Sequence, residues 1–536
     1  MYLTRAFHRS PENQWVLTYY DSEGTSYYPI PSRALRPGAT LQVLWKIPVS
    51  GLGNLGVARV RGFDTPLVLL CEEQRIRLID GRGEVRWIKE VFPGNTGALD
   101  RDTGALDWDQ DGLVDLVVTE VHLDTVWNCT DAWDALLIDN LGSTFDPRSA
   151  AQATADSMRI ERREISTVIS TSGDTLLSVP RLLPLHWDNL KTAYPSERNL
   201  TLRAFGPGYP ASDRYSRLLL QPIRIEDGEG RPSIQRYLSR RLVRRIEAIE
   251  APSGRIRWAI PVPFFPHLQA IADVNVDELP DIIVGGYCPE NGCAESGMVD
   301  VGQITVLAAG ISGEILWTQV FPGDFAGARA CVADVLGDSD PEVVVVVHNW
   351  RMNRGTLAVL DGSSGRVLRR KQADFSFCGL SAVDTDDDGK KEVFVGSTEG
   401  TVFRVDGDLR LLSSRQIVLK EDGSQFPCCL VQAANDVDGD GDIEIVCIAT
   451  PRGGGEWDPS RRLDLAYGVE RLVVLGSDCR VEWDIPLGSP DAARDYDSSE
   501  GFLAQHAVLG DLDADGVNEI LCRTRTEVIA FGFRSQ

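Results

Sequence analysis

The sequence predicts an all-β chain of repeated four-stranded antiparallel blades, and three observations carry that expectation. First, one acidic motif recurs: DWDQDGLVD (107–115), DVNVDELPD (273–281), DTDDDGKKE (384–392), DVDGDGDIE (436–444) and DLDADGVNE (511–519), with a weaker copy, DVLGDSDPE, at 334–342. A short apolar stretch precedes each copy and a β-branched run follows it, which reads as strand, acidic turn, strand. Second, a strand, a Gly-containing turn and a further strand follow, often ending in Trp, as at Trp87, Trp258, Trp317 and Trp483. Third, Asp334, Asp384 and Asp436 follow one another at roughly fifty residues, the length of one four-stranded unit.

Four-stranded units at this period are the signature of a β-propeller. One blade cannot bury both of its faces, whereas a ring of blades does so and leaves only short edges. The chain ends fit such a ring. TEVIAFGF (526–533) is a third strand with no fourth behind it, and LQVLWKIPV (41–49) has the Trp-ended pattern of the missing one. The N-terminal strand is therefore expected to complete the last blade and close the ring.

Counting gives seven blades, the first being a degenerate copy from Val57 (VARVRGFDTPLVLL) that has lost most of its acids. The interval from Asp107 to Asp273 is about three times the period. It reads as an insertion, residues 120–240, within the second blade. The alternative makes part of it an eighth blade, with ALLIDNLGSTF (135–145) as an extra closing hairpin. The chain thus divides into an N-terminal segment, 1–40, and a propeller, 41–533. The inserted span carries Trp127, Trp133, Trp187, Tyr194, Phe205, Tyr209 and Tyr215, more aromatics than a solvated linker holds. It is expected to fold onto one face and to form much of a partner surface.

Composition narrows the function. The 536 residues are 43% hydrophobic and 25% charged, a globular mix. The net charge of −25 argues against nucleic acid as a partner and against docking on anionic lipid. The apolar run 343–347 is far below the ~20 residues of a membrane span, so no membrane insertion is expected. The first residues show no signal-peptide pattern, which leaves the compartment open.

The spacing D-x-D-x-D-G places oxygen ligands at positions 1, 3 and 5 of a tight loop, with Gly at 6 for the sharp turn. A carbonyl at position 7 and an acid further on complete a hard-cation shell, and oxygen ligands favour Ca²⁺ over softer metals. Here the acid stands at position 9 and strands flank the loop, so this is an EF-like calcium loop inside a β-hairpin and not an EF-hand. Solvated acidic turns are the bland alternative, and their recurrence in phase with the blades argues against it. Calcium that staples hairpins, with no catalysis by the metal, is the expected role.

The residues at 1, 3, 5 and 9 resemble the FG-GAP family, the calcium-loop propeller repeats of integrin α chains and many bacterial VCBS-type proteins. The resemblance implies metal ligands at Asp107, Asp109, Asp111 and Asp115; at Asp384, Asp386, Asp388 and Glu392; at Asp436, Asp438, Asp440 and Glu444; and at Asp511, Asp513, Asp515 and Glu519. It extends to Asp273, Asn275, Asp277 and Asp281, where Glu278 replaces the usual Gly. Leu336 at position 3 weakens the 334–342 copy. By the same resemblance the protein is expected outside the cytoplasm, extracellular or periplasmic.

Other features have competing readings. Gly stands four residues before Trp in Gly83/Trp87, Gly254/Trp258 and Gly313/Trp317, which resembles the docking motif of pyrroloquinoline-quinone propellers; Trp packing between blades is the plainer reading. The vicinal pair Cys428–Cys429 is similar to a ring-forming disulfide of some of those dehydrogenases, against buried thiols. Cys288 and Cys293 suit a local disulfide, while Cys71, Cys447 and Cys522 read as small apolar groups. His267 and His506 precede acidic turns and read as packed strand-end residues before catalytic bases. Arg240, Arg241, Arg244 and Arg245 read as a solvated strand edge. The expected function is a non-enzymatic, calcium-stabilised module that binds a protein or glycan. The alternative is a propeller enzyme, a polysaccharide lyase or quinoprotein dehydrogenase, with its site in the central funnel.

Overall fold

The computed structural model describes residues 15–16, 32–33, 40–49, 55–58, 63, 65–72, 75–90, 101–106, 115–126, 159–170, 172–183, 188–192, 200–205, 244–250, 255–262, 265–277, 281–287, 302–308, 314–321, 326–349, 354–418, 428–450, 470–487, 506–524 and 526–534. Among them there is strand and turn and no helix.

Strand β1 (Trp15–Val16) lies beside β3 (Leu55–Ala58), followed by β4 (Leu67–Cys71), β5 (Arg75–Asp80) and β6 (Val85–Glu90). β2 (Thr40–Pro48) belongs elsewhere. The second sheet runs β7 (Arg101–Leu106), β8 (Asp115–Val126), β9 (Arg159–Ile169), β10 (Thr175–Leu183). The third runs β11 (Asp188–Thr192), β12 (Leu200–Phe205), β13 (Arg244–Glu250), β14 (Arg255–Val262). One meander comprises β15 (Phe265–Ala272), β16 (Asp281–Tyr287), β17 (Gly302–Ala308) and β18 (Ile315–Phe321). The next comprises β19 (Ala326–Ala333), β20 (Glu342–Asn349), β21 (Arg354–Asp361) and β22 (Val367–Ala373). A single bridge, Tyr287 to Gly327, joins these two into one eight-stranded sheet. Two more meanders are β23 (Phe377–Val383) to β24 (Glu392–Ser397), β25 (Thr401–Val405) and β26 (Leu411–Gln416), and β27 (Cys428–Asn435) to β28 (Glu444–Thr450), β29 (Glu470–Leu475) and β30 (Val481–Leu487). The last sheet orders β31 (His506–Gly510), β32 (Glu519–Arg523), β33 (Glu527–Arg534) and then β2, paired antiparallel from Thr40 opposite Arg534 to Pro48 opposite Glu527.

The described strands within 120–240 pair with strands on either side of that span. β9 and β10 finish the sheet that β7 and β8 begin, and β11 and β12 begin the sheet that β13 and β14 finish. The proposed hairpin at 135–145 and the aromatics of this span lie outside the described residues, apart from Phe205, which ends β12.

Burial follows position within each meander. Inner and middle strands such as β20 (EVVVVVHN) and β23 (FCGLSAV) are buried on both faces, because neighbouring sheets pack against either side of them. Outer strands alternate or are polar: β6 reads VRWIKE and β26 reads LLSSRQ, and both are largely exposed. First strands touch in succession, β7 to β11, β11 to β15, β15 to β19, β19 to β23, β23 to β27, β27 to β31 and β31 to β3. One apolar cluster joins Val57, Val68 and Leu70 of the first sheet to Val508, Leu521 and Phe531 of the last.

The Gly and Trp of one closing hairpin serve different neighbours. Trp45 of β2 donates its indole N–H to the Gly81 carbonyl (2.9 Å), and Trp317 of β18 donates to the Gly362 carbonyl (2.7 Å). A Cβ on Gly83, φ +83°, would lie 2.9 Å from the Trp45 ring, and one on Gly365, φ +68°, 2.5 Å from that of Trp317. Each Trp thus packs over the turn of the following sheet, the between-blade packing expected from sequence. At Gly81 a Cβ would lie 1.5 Å from the Leu512 carbonyl oxygen, backbone against backbone at the seam between last and first sheets. Gly81→Ala is expected to destabilise the protein by about 3 kcal/mol, read as a lower urea midpoint with an unchanged slope. An unaltered midpoint would show that this seam does not form.

Candidate metal centres

Each acidic turn joins the first strand of a meander to its second, and its amide hydrogen bonds explain the spacing. The position-9 carboxylate folds back to accept the position-2 amide: Val274 to Asp281 (3.1 Å), Val335 to Glu342 (3.0 Å), Thr385 to Glu392 (3.0 Å), Val437 to Glu444 (2.8 Å) and Leu512 to Glu519 (2.6 Å). Position 9 opens the second strand, so its side chain enters the sheet and is buried in all five turns. Position-3 side chains accept the position-5 amide, at Asn275, Asp386, Asp438 and Asp513. Position-5 carboxylates accept the position-7 amide, at Asp338, Asp388, Asp440 and Asp515. These are Asx turns in series.

Two left-handed residues make the bend. Position 6 has positive φ at Ser339, Gly389, Gly441 and Gly516, and position 4 at Val276, Gly337, Asp387, Gly439 and Ala514. The sequence signalled the first through its glycines. The second was hidden, because four different residue types occupy position 4.

Four turns bring carboxylate oxygens together, each group lying within 4.8 Å: Asp334, Asp338 and Glu342; Asp384, Asp386 and Glu392; Asp436, Asp438 and Glu444; Asp511, Asp513 and Glu519. A hard cation with oxygen ligands at ~2.4 Å holds opposite ligands about 4.8 Å apart, so these donor sets fit one. Each position-9 carboxylate accepts the amide through one oxygen and belongs to the acidic group of its turn wherever such a group forms. Positions 1, 3 and 9 form the triads, while Asp388, Asp440 and Asp515 stand outside them. In the 334–342 copy Leu336 removes position 3, and Asp338 at position 5 completes the group instead. Its acids at 1, 5 and 9 were the available signal.

Asp273, Asn275, Asp277 and Asp281 share the internal hydrogen bonds, among them Asp277 amide to Asp273 (3.0 Å), but form no such group among the described residues. Asp107, Asp109 and Asp111 lie outside the described residues, and Asp115 opens β8.

Electrostatics set these groups apart from ordinary surface acids. Burial is the main cause that pushes Glu444 up to about 9, Glu519 to about 8, and Glu342 and Asp281 to about 7, with neighbouring carboxylates adding to it. Asp438 rises to about 6 by burial and Asp440. The 384–392 turn has its own cation: Arg404 Nη2 of β25 lies 3.3 Å from Glu392 and 3.9 Å from Asp386.

The other candidates scatter. Cys447 and Cys522 are buried in apolar surroundings as expected, whereas Cys288 and Cys293 lie outside the described residues, as do the side chains of Cys71, His267 and His506. Arg240 and Arg241 also lie outside them, and Arg244 and Arg245 begin β13. Cys428 and Cys429 are not bonded to each other, and their thiols face opposite sides of β27, as neighbours in a strand must.

The chain is therefore an all-β repeat protein of four-stranded antiparallel meanders whose acidic turns include several able to hold a metal ion. No family model matches it, and no curated protein matches it. Among solved structures it is similar to BBS1N in complex with ARL6DN (10% identity, 92% of this chain, 98% of that chain, TM-score 0.41). It is also similar to the Dos1 propeller (10%, 93% and 97%, TM-score 0.40) and to the quinohemoprotein alcohol dehydrogenase ADHIIG from Pseudomonas putida HK5 (12%, 99% and 82%, TM-score 0.41). Likeness at this level assigns the chain to no family. No helix among the described residues is long and apolar enough to cross a membrane.

Proposed function

We propose that the protein is a calcium-stapled β-propeller of eight blades, closed by β2, that serves as a rigid binding module for a protein or glycan. The observation that carries the calcium reading is the recurrence, in four turns, of three converging carboxylates with a buried position-9 acid. Oxygen-only donors at this spacing favour Ca²⁺, in keeping with the resemblance to FG-GAP repeats. The succession of first-strand contacts from β7 round to β3 supports the ring, and the pairing of β9 to β12 supports an additional blade in 120–240 in place of a separate insertion. Excising residues 125–238 behind a short Gly/Ser bridge is then expected to abolish the fold. A folded, calcium-binding product would restore the insertion reading.

The metal is structural in this proposal. Three of the turns pack where sheets meet: Leu512 against Gly81, Val335 against Gly407, and Val274 against Gly362. A bound cation would neutralise the acids and fix these seams, leaving loops on a stiff frame for recognition. Equilibrium dialysis with elemental analysis tests the sites. Asp513→Ala is expected to lower bound calcium by about one per chain, since Asp513 belongs to a single triad. A stoichiometry unchanged by the substitution would count against the assignment. Glycan-array and pull-down screening, each with and without calcium, tests the binding module; turnover of a polysaccharide or an alcohol would instead favour the enzyme.

A further inference from the structure

We infer that Cys378 and Cys428 are the two halves of a disulfide that joins neighbouring sheets. Cys378 is the second residue of β23 and Cys428 opens β27, and their Sγ atoms lie 3.1 Å apart as buried thiols. The contact is built by the backbone. A Cβ on Gly379, φ +76°, would lie 2.5 Å from the Val431 carbonyl oxygen. One on Gly396 would lie 1.9 Å from that of Cys429 and 2.5 Å from that of Cys378. Two glycines thus let β27 approach β23 and β24 more closely than any side chain permits, and the thiols face each other across that gap.

Strand alternation selects the partner. Cys428 shares an apolar cluster with Cys378 and Leu430, whereas Cys429 and Val431 belong to another cluster on the opposite face, where Cys429 meets Cys447. The vicinal pairing that the sequence suggested is therefore set aside in favour of a partner fifty residues away. No third thiol joins the two within ligand distance among the described residues, which argues for a covalent link over a soft-metal site.

The chemistry is thiol–disulfide exchange with a small or protein disulfide as oxidant. One thiolate attacks that disulfide and releases its first thiol. The second thiolate then attacks the mixed disulfide and releases the other. The Cys378–Cys428 bond forms, the oxidant is reduced to two thiols, and these take up the two protons. The pair is buried, so exchange takes place as the chain folds or during local opening.

The test uses the full chain incubated with oxidised glutathione, then denatured and alkylated. The expected result is that both Cys378 and Cys428 escape alkylation and that one cross-linked peptide pair contains them, two daltons lighter than the reduced pair. Tm should rise by several degrees and return on reduction, and Cys378→Ser should remove both the cross-link and the shift. Eleven alkylated cysteines after oxidation, or a cross-link through Cys429 or Cys447, would overturn the inference. If Cys378→Ser fails to fold, the peptide map of the unsubstituted protein decides alone.

Discussion

Calcium added to the chelated protein is expected to raise its melting temperature by roughly 10 °C or more. A ligand held at a hundred times its Kd stabilises by about 2.7 kcal/mol per site, so four sites supply on the order of 10 kcal/mol. The effect should depend on pH, and burial gives its sign. Glu444 and Glu519 hold their protons more tightly in the folded chain, at about 9 and 8, than at their ordinary 4.5. Below that ordinary value both are protonated in either state, and they cost nothing. As pH rises past it, the unfolded chain ionises freely while the folded chain must retain the proton or bury a charge. The chelated protein should therefore lose stability progressively from about pH 4.5 until pH passes these raised values. Calcium binds the ionised form, so its stabilising effect should grow across the same window. Melting curves that superimpose in EDTA and in calcium at pH 8 would remove the basis for metal in these turns.

Deletion of residues 1–50 is expected to convert the protein to aggregate. It strips β2 from β33 and exposes an edge that carries Val528, Ile529, Phe531 and Phe533, all buried in the whole chain. It also removes Trp45 from Gly81 and Gly83, the contact that joins the last sheet to the first. Ser32 is lost as well; it donates to the Asp436 and Val437 carbonyls and accepts from the Asn518 amide, which ties two acidic turns together. Lost burial and hydrogen bonds amount to on the order of 5 kcal/mol. Light scattering on size-exclusion fractions measures the outcome. A monodisperse truncated chain with the melting temperature of the full protein would show that the last sheet stands without its N-terminal strand.

The sequence by itself determined the all-β class, the strand–acidic turn–strand hairpins and the Trp-ended hairpins, because those rest on local pattern. Alternating or β-branched runs and turn residues act within a few positions of one another, and so do the Asx turns that place acids at 1, 3 and 9. Degenerate copies escaped that reading. β9 and β10 (RIERREISTVI and TLLSVPRLL) carry no Trp, and β11 and β12 enclose no acidic motif, so their share in two meanders emerged only from pairing. Tertiary structure alone decided which residues meet across sheets. The approach of Cys378 to Cys428 and the packing of Trp45 over a turn from another sheet both join positions far apart in the chain. Such contacts depend on how closely two backbones approach, and glycines such as Gly81, Gly379 and Gly396 set that distance. A repeat pattern reports the period of the strands; it does not report the spacing between sheets.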